Sequence, residues 1–449
     1  MAAIVTDRLK LQLIDQLVTI LQDNSKPTYV GFGRSEAWND SDTAPVPSNN
    51  TDDERKFKNG LQSVKRINGV SHVVPRVNWT SGTIYHGWDN KTTGYGSASF
   101  YVLTENFGVY ICLRAGRNNQ GNLVPSTVQP TGSNNDPFEL ADGYVWKFLY
   151  TISETEARKF MTASFMPTRI ILDTDSNSSG IQIKQKEIQD NSDSGRITQV
   201  VVTNGGSGYT SAPTVLIFGD GDSAFSATAT IDSAAGTVTK VEFDNDSSTL
   251  KYGKGYSTAN VSLVGGGGTG ALARAVIGPK EGFGRNAKLD LKTSSLVVHC
   301  KVEGTDSDFI LGNDFRQIGL INDLRKTATD SVFGGLTGSV LDHLKLQTIS
   351  SVFTADKIIV GTTTGTKAVI DKVDSNKIFY HQNDNTGFDS FAIGETITES
   401  NGTGAGIVLQ PRIPGYIKKH TGDLLYLNNR GAVARSAGQT EDIKIVIQI

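Results

Sequence analysis

A glycine-rich run at residues 265–270 is the segment whose residue types come closest to a ligand-binding loop. Gly265-Gly-Gly-Gly-Thr-Gly270 fits the G-x-G-x-x-G spacing of dinucleotide-binding loops, and Asp290 follows at about the distance of a ribose-binding acid. Such a loop must open a helix, but residues 271–277 alternate with a period of two. We therefore predict a glycine-rich turn between two strands.

Other residues that could do chemistry are scattered along the chain. Ser35 lies in Gly33-Arg-Ser-Glu-Ala37, which lacks the second glycine of a nucleophile elbow. Asp220-Gly-Asp222 and Asp244-Asn-Asp246 could offer oxygen ligands to Ca²⁺, but Asp and Asn beside Gly are also what turns require, and the EF-hand spacing is missing. The histidines include no pair at the three- or four-residue spacing that puts two metal ligands on one helix face. They are His72, His86, His299, His343, His381 and His420. We predict no catalytic residue, no cofactor and no metal site, and hence a protein that is not an enzyme.

The charge composition indicates which classes of partner the chain can attract. The chain has 43 Lys and Arg against 46 Asp and Glu, a net charge of -3, so it has no bulk field that would attract nucleic acid or an anionic membrane. The first residues lack a signal peptide, and no apolar run reaches the roughly 20 residues of a membrane span, so we expect synthesis in the host cytoplasm. Cys112 and Cys300 lie far apart in apolar stretches and are predicted to be buried free thiols.

Short Val- and Ile-rich runs between turn residues, with 48 glycines, predict a mainly β fold. Residues 99–113 predict a hairpin that turns at Asn106-Phe107-Gly108, and residues 144–152 and 442–449 predict strands. Polar loops are expected at 39–54 and 116–137. One amphipathic helix is predicted over residues 4–22, and its apolar stripe could equally pack on its own core or dock on a neighbouring subunit. The stripe contains Leu9, Leu13, Leu17, Ile20 and Leu21.

Two internal repeats suggest a domain organisation. Gly206-Ser-Gly-Tyr-Thr-Ser-Ala212 recurs as Gly253-Lys-Gly-Tyr-Ser-Thr-Ala259, which defines a two-repeat β module at 195–278. Gly365-Thr-Lys-Ala-Val-Ile370 and Gly402-Thr-Gly-Ala-Gly-Ile-Val408 mark a second, small β module at 350–410. A chain of 449 residues is too long for one ordinary domain. We predict one discontinuous β-sandwich core, residues 1–185, 280–345 and 412–449, interrupted by the two inserted modules.

Several segments together resemble the baseplate wedge subunit of T4-like contractile-tailed bacteriophages, the gene-product-eight type. Their order, spread over both ends of the chain, makes chance similarity improbable. The segments are Phe32-Gly-Arg-Ser-Glu-Ala-Trp38, Val74-Pro-Arg-Val-Asn-Trp79, Asp142-Gly-Tyr-Val-Trp-Lys-Phe-Leu-Tyr150, Phe315-Arg-Gln-Ile-Gly-Leu-Ile321, Gly422-Asp-Leu-Leu-Tyr-Leu-Asn-Asn-Arg430 and Gln439-Thr-Glu-Asp-Ile-Lys-Ile445.

The resemblance implies a layered β-sandwich core, a homodimer, and a place in the tail baseplate of the virion beside the other wedge proteins and the peripheral tail-fibre apparatus. It implies no catalysis. The chain departs from the family by its two inserted modules and by Gly431-Ala432, where prolines are expected. The motif residues are candidates either for intrachain core and ion pairing or for interface anchors. They are Phe32, Arg34, Trp38, Pro75, Arg76, Trp79, Trp146, Phe315, Arg316, Asn429 and Arg430.

Two other functions remain as alternatives. A β protein of a phage fibre that binds carbohydrate on the host surface would need clustered exposed aromatic side chains. A tail-associated glycosidase or esterase would need a convergent acid and base pair, which the sequence does not reveal.

Overall fold

A computed structural model describes residues 3–39, 41–92, 99–173, 180–222, 224–246, 249–312, 314–436 and 438–449. The chain divides into two compact units. Unit 1 comprises residues 1–14, 71–297 and 446–449, and unit 2 comprises residues 15–70 and 298–445. The chain passes from one unit to the other inside α1, Asp7–Leu21, and inside three strands, β3, β17 and β27, whose bounds are given next.

The helices are α1 Asp7–Leu21, α2 Thr51–Gly60, α3 Glu154–Phe160, α4 Gly180–Asp190 and α5 Ala287–Asp290. The strands are β1 Thr28–Gly33, β2 Leu61–Arg66, β3 Gly69–Pro75, β4 Tyr101–Leu103, β5 Gly108–Arg114, β6 Phe138–Glu139, β7 Val145–Thr151, β8 Phe165–Thr168, β9 Ile197–Ser207, β10 Thr214–Gly219, β11 Ala227–Asp232, β12 Thr237–Phe243, β13 Asn245–Asp246, β14 Thr249–Leu250, β15 Ala259–Val264, β16 Thr269–Ile277, β17 Ser295–Val302, β18 Asp314–Asn322, β19 Thr337–Ser339, β20 Asp342–Ser351, β21 Ile358–Gly361, β22 Lys367–Asp374, β23 Lys377–His381, β24 Thr396–Glu399, β25 Ala405–Ile413, β26 Asp423–Ala434 and β27 Glu441–Gln448.

The fold is mainly β, as predicted, with 41% of residues in strands and 11% in helices. The N-terminal helix is confirmed as α1, and the predicted hairpin is confirmed because β4 and β5 pair antiparallel around Phe107. β7 and β27 confirm the strands expected at 144–152 and 442–449. The run at 265–270 joins β15 to β16, so the glycine-rich segment is a turn between strands, as predicted.

Two helices between residues 29 and 172, α2 and α3, were not predicted. α2 begins inside the expected loop at 39–54, where Asn50 caps it by accepting a hydrogen bond from the Asp53 amide at 2.8 Å. α3 has a capping box in which Ser153 and Glu156 satisfy each other's backbone amides. Both helices are short and polar, so neither has the apolar stripe that reveals an amphipathic helix in a sequence.

Besides the two-stranded sheet β13-β14, unit 1 contains two larger antiparallel sheets. One has the strand order β4-β5-β7-β6, and the other has the order β15-β10-β11-β12-β9-β16. Buried side chains from the first sheet, such as Ile111 and Leu149, belong to one hydrophobic cluster with Val200 and Val241 of the second. The six-stranded sheet therefore shares a core with the rest of its unit.

Unit 2 is built from a five-stranded sheet and a barrel. The sheet has the order β19-β2-β1-β18-β26, and its core is centred on Tyr29, Phe57 and Ile321. The barrel closes in the order β20-β23-β22-β21-β24-β25 and has its own core, which includes Leu344, Ile370 and Ile397. Each of the two parts of unit 2 thus buries a separate apolar cluster.

Candidate functional site

A cavity of about 510 Å³ opens in unit 2 where several loops meet strand β26. α2, the segment after β1 and the segment after β23 provide most of its walls. The lining is largely polar. It consists of Arg34, Glu36, Trp38, Pro45, Val46, Ser48, Asp53, Lys56, Asn59, Gly60, Gln317, Asn383, Asp384, Asn385, Leu427 and Asn429.

The segment after β1 is held in an unusual backbone conformation. Arg34 has a φ of 60°, in the left-handed region that non-glycine residues rarely adopt, and its amide donates to the carbonyl of Gly60 at 3.0 Å. Its guanidinium donates to the Ala37 carbonyl at 3.1 Å and lies over the Trp38 ring, 4.1 Å from the ring centroid. The Trp38 indole nitrogen donates to the Arg430 carbonyl at 2.8 Å. These contacts fix one wall of the cavity.

Arg316, on β18, binds the segment that follows β1. Its Nε donates to Asp42 at 2.8 Å, its Nη2 donates to Asp314 at 3.2 Å, and its Nη1 donates to the Ser35 carbonyl. Arg316 is buried, and burial lowers the pKa of its guanidinium, but the hydrogen bond to Asp42 and the charge of Asp42 outweigh burial and raise that pKa. A rigid, multidentate cation therefore positions the loop that carries Arg34 and Trp38.

Glu36, which lines the cavity, also belongs to an ion cluster with the buried residues Asp371 and His381. The Nδ1 atom of His381 is 2.8 Å from Oδ2 of Asp371, and its Nε2 atom is 3.3 Å from Oε2 of Glu36. Asp371 is fully buried and lies at a register shift between Ile370 and Lys372 in the pairing of β22 with β23. Oδ1 of Asp371 accepts from Gln62 at 2.8 Å, and the hydroxyl of Ser35 lies 3.5 Å from it.

Glu36 and His381 are both charged at neutral pH. Burial lowers the pKa of His381, but the charges and hydrogen bonding of Asp371 and Glu36 outweigh it and raise that pKa to about 10. Burial raises the pKa of Glu36, but His381 and Arg34 outweigh it and lower that pKa to about 2. A protonated imidazole cannot accept a proton, and the Ser35 hydroxyl faces Asp371 instead of the imidazole. Ser35 and His381 therefore do not form a nucleophile and base pair, and the cluster is held together by the attraction between His381 and its two carboxylate neighbours.

Seven of the predicted motif residues lie in unit 2. Arg34, Trp38 and Asn429 line the cavity. Phe32 and Phe315 are buried and pack edge to face with ring centroids 5.2 Å apart. Arg316 binds the segment after β1, as described above, and Arg430 is exposed.

The other four motif residues lie in unit 1, away from the cavity lining. Trp79 and Trp146 belong to one hydrophobic cluster, and the Trp79 indole donates to Ser126 at 3.1 Å. Arg76 donates to Asn78 at 2.9 Å, and the Pro75 carbonyl accepts from the Tyr101 hydroxyl at 2.8 Å.

Sequence reasoning missed the other important residues of this site. Glu36 lies inside a motif but was not singled out, and Asp371 and His381 gave no signal because they are ten residues apart on two strands. Asn59, Asn383 and Asn385 look like ordinary turn or helix-end residues in the sequence. The register shift at Asp371 has no recognisable pattern of its own.

The apolar stripe of α1 is a second candidate surface. Leu9, Leu13 and Ile20 are 46%, 42% and 48% exposed, and Leu17 is half-buried. The buried face of α1 instead carries Leu11, Ile14 and Leu21. The predicted stripe is therefore divided: Leu9, Leu13 and Ile20 are exposed, whereas Leu21 packs on the chain's own core.

No helix among the residues that the structure describes is long and apolar enough to cross a membrane. No protein-family model matches the sequence, and no curated protein matches it either.

Proposed function

We propose that this protein is a structural subunit of the baseplate wedge in a contractile-tailed bacteriophage, where it pairs with a second copy of itself and binds neighbouring wedge proteins. The support comes from the motif residues that resemble the gene-product-eight type of wedge subunit. One observation carries the proposal: motif segments from distant parts of the chain form adjacent strands of one sheet.

The strands that carry the motif segments pair in a defined register. β1 pairs with β18 so that Phe32 faces Ile318, and β18 pairs with β26 so that Gln317 faces Asn429. The Gln317 side chain donates to Asn429 at 2.9 Å, and Asn429 donates in turn to the Pro45 carbonyl at 3.0 Å. Motif residues that are far apart in sequence therefore act as one structural element, as residues of a common fold would.

The stripe of α1 supports the pairing with a second copy. Leu9, Leu13, Leu17 and Ile20 recur at spacings of four, four and three, which lets two helices interlock along an apolar seam. The first half of α1 carries Asp7, Arg8 and Lys10, one negative and two positive charges, and the second half carries Asp15 alone. Two copies of α1 in antiparallel orientation thus place a positive half opposite a negative half.

The experiment is assembly of the purified full-length chain with the neighbouring wedge proteins of the same phage, followed by sedimentation. We expect a complex in which this chain is present in two copies. The double variant Leu9→Ser/Leu13→Ser should lower the copy number to one, because it removes the apolar seam from an exposed surface.

Leu409→Ser is the matched control, because Leu409 is 44% exposed but lies on β25. It should assemble like the wild type. Absence of any complex between the wild-type chain and the wedge proteins would refute the proposed function, whereas a complex containing one copy would refute only the pairing through α1.

A further inference from the structure

The cavity of unit 2 has the chemistry of a small-ligand site, and we propose that it binds a neutral saccharide. This inference goes beyond the proposed function and does not depend on it. The volume of about 510 Å³ falls within the range of small-molecule sites in proteins.

Charge argues against an anionic ligand. The lining has three carboxylates, Glu36, Asp53 and Asp384, against the two cations Arg34 and Lys56. Both cations are already engaged, since Arg34 lies over Trp38 and Lys56 pairs with Asp52 at 2.6 Å. The carboxylates are engaged as well, Glu36 with His381 and Asp384 with Arg55 at 2.9 Å, so a charged ligand would have to break an existing ion pair. A neutral polar ligand avoids that cost.

Side-chain amides supply hydrogen-bonding groups suited to hydroxyls. Five lining residues carry an amide. Those of Gln317, Asn383 and Asn429 already bond to protein groups, so the donors and acceptors that vicinal hydroxyls of a sugar require come first from the other two. The side chains of Asn59 and Asn385 make no hydrogen bond to any residue that the structure describes. Both amides are therefore open to a ligand that enters the cavity. The five are Asn59, Gln317, Asn383, Asn385 and Asn429.

The neighbouring groups are held in place before a ligand arrives. Oε1 of Glu36 accepts a hydrogen bond from the Asn383 side chain at 2.7 Å, and its Oε2 lies 3.3 Å from Nε2 of His381. Asn429 is held between Gln317 and the Pro45 carbonyl. Preorganised polar groups lower the entropy lost on binding.

The cavity also has an apolar part. Trp38, Pro45, Val46 and Leu427 belong to its lining, and Val46 is 89% exposed at the rim. Because the Arg34 guanidinium covers one face of the Trp38 ring, the C–H face of a sugar packs on the side chains of Pro45, Val46 and Leu427 while its hydroxyls bond to the amides. The cavity has one aromatic lining residue and not the cluster of exposed aromatic side chains expected of a host-surface carbohydrate binder, so its polar groups carry the saccharide assignment.

The test is saturation-transfer difference NMR on the full-length protein with glucose, galactose, mannose, N-acetylglucosamine and N-acetylgalactosamine as separate probes. We expect saturable, millimolar binding of at least one of them. Asn385→Trp should abolish the signal, because Asn385 is exposed and a larger side chain there fills the cavity without disturbing the fold. Asn59→Ala should weaken binding about tenfold, the effect of one lost hydrogen bond.

Asn119→Ala is the matched control, since Asn119 is an exposed asparagine of unit 1 that does not line the cavity. It should bind like the wild type. Failure of every probe to bind the wild type would overturn the inference, as would undiminished binding by Asn385→Trp. If no sugar binds but Asn385→Trp loses a wedge partner, the cavity is a protein contact and the saccharide proposal is wrong. Sugar binding that survives while Leu9→Ser/Leu13→Ser fails to pair would separate this inference from the proposed function.

Discussion

The imidazole of His381 and the carboxylate of Asp371 form a fully buried ion pair, with Nδ1 and Oδ2 2.8 Å apart. Both residues come from the barrel, and the loop after β1 brings Glu36 to the other side of the ring. A buried charge of this kind is stable only while its partners are present. The pair therefore couples the conformation of the cavity loop to the barrel within unit 2.

Replacing His381 by Gln should destabilise the protein by roughly 3 to 5 kcal/mol, because it leaves the carboxylates of Asp371 and Glu36 buried without their counterion. Urea unfolding monitored by circular dichroism measures the loss. His343→Gln is a suitable control, since His343 lies on β20, is only partly buried and packs on Phe379. Equal stability of His381→Gln and the wild type would contradict the role of the cluster.

The same variant should change the pH dependence of stability. The pKa of His381 rises from 6.5 to about 10 on folding, so its contribution is fully present below pH 6.5 and is lost as the pH rises through about 10. The free energy of unfolding of the wild type should therefore fall more steeply over this interval than that of His381→Gln. Parallel curves for the two proteins would show that His381 is not charged in the folded state.

Asp290 should make the stability of unit 1 depend on pH in the acidic range, below about pH 7. Burial raises its pKa to about 7, against the smaller effects of the Gly284 amide, which donates to Oδ2 at 2.7 Å, and of Lys147. A carboxyl whose pKa is raised on folding costs stability as the pH rises from 3.8 to about 7, by at most about 1.4 kcal/mol for each pH unit. Asp290→Asn should flatten the stability profile in this window, as measured by thermal unfolding. A profile identical to that of the wild type would refute the buried neutral carboxyl.

Gly319 should tolerate no side chain. A Cβ atom there would lie 2.3 Å from Cζ of Phe57, which is itself buried in the core of the five-stranded sheet. Gly319→Ala should therefore destabilise the protein by about 1 to 3 kcal/mol through overpacking. Gly431→Ala is the matched control, because a Cβ at Gly431 meets nothing within 4 Å. Equal unfolding midpoints for the two variants would contradict the packing of Gly319 on Phe57.

The cysteines should be unreactive in the folded protein. Both are free and buried, as predicted from their apolar surroundings, and burial raises the pKa of each thiol. Titration with an aromatic disulfide reagent should detect no thiol before unfolding and two after it. A thiol that reacts rapidly in native buffer would show that one of these sites opens readily.

Local sequence patterns predicted much of the fold, but they did not predict most residues of the candidate site. Alternation and turn residues found the β4–β5 hairpin and β27, because their signals lie within a few neighbouring residues. The stripe of α1 was visible, but a sequence cannot say which side of a helix its own chain covers, and Leu9 and Leu13 proved exposed. Glu36 and His381 meet only because segments 345 residues apart in the sequence come together in unit 2, and no short-range pattern encodes that meeting.

The most direct test of the structural role is the mass of the full-length chain in solution, measured by light scattering on a size-exclusion column over a range of concentrations. A self-pairing wedge subunit predicts a mass near twice 48.2 kDa for the wild type and for Leu409→Ser, and a mass near 48.2 kDa for Leu9→Ser/Leu13→Ser. A wild-type chain that remains at 48.2 kDa at every concentration would contradict pairing through α1.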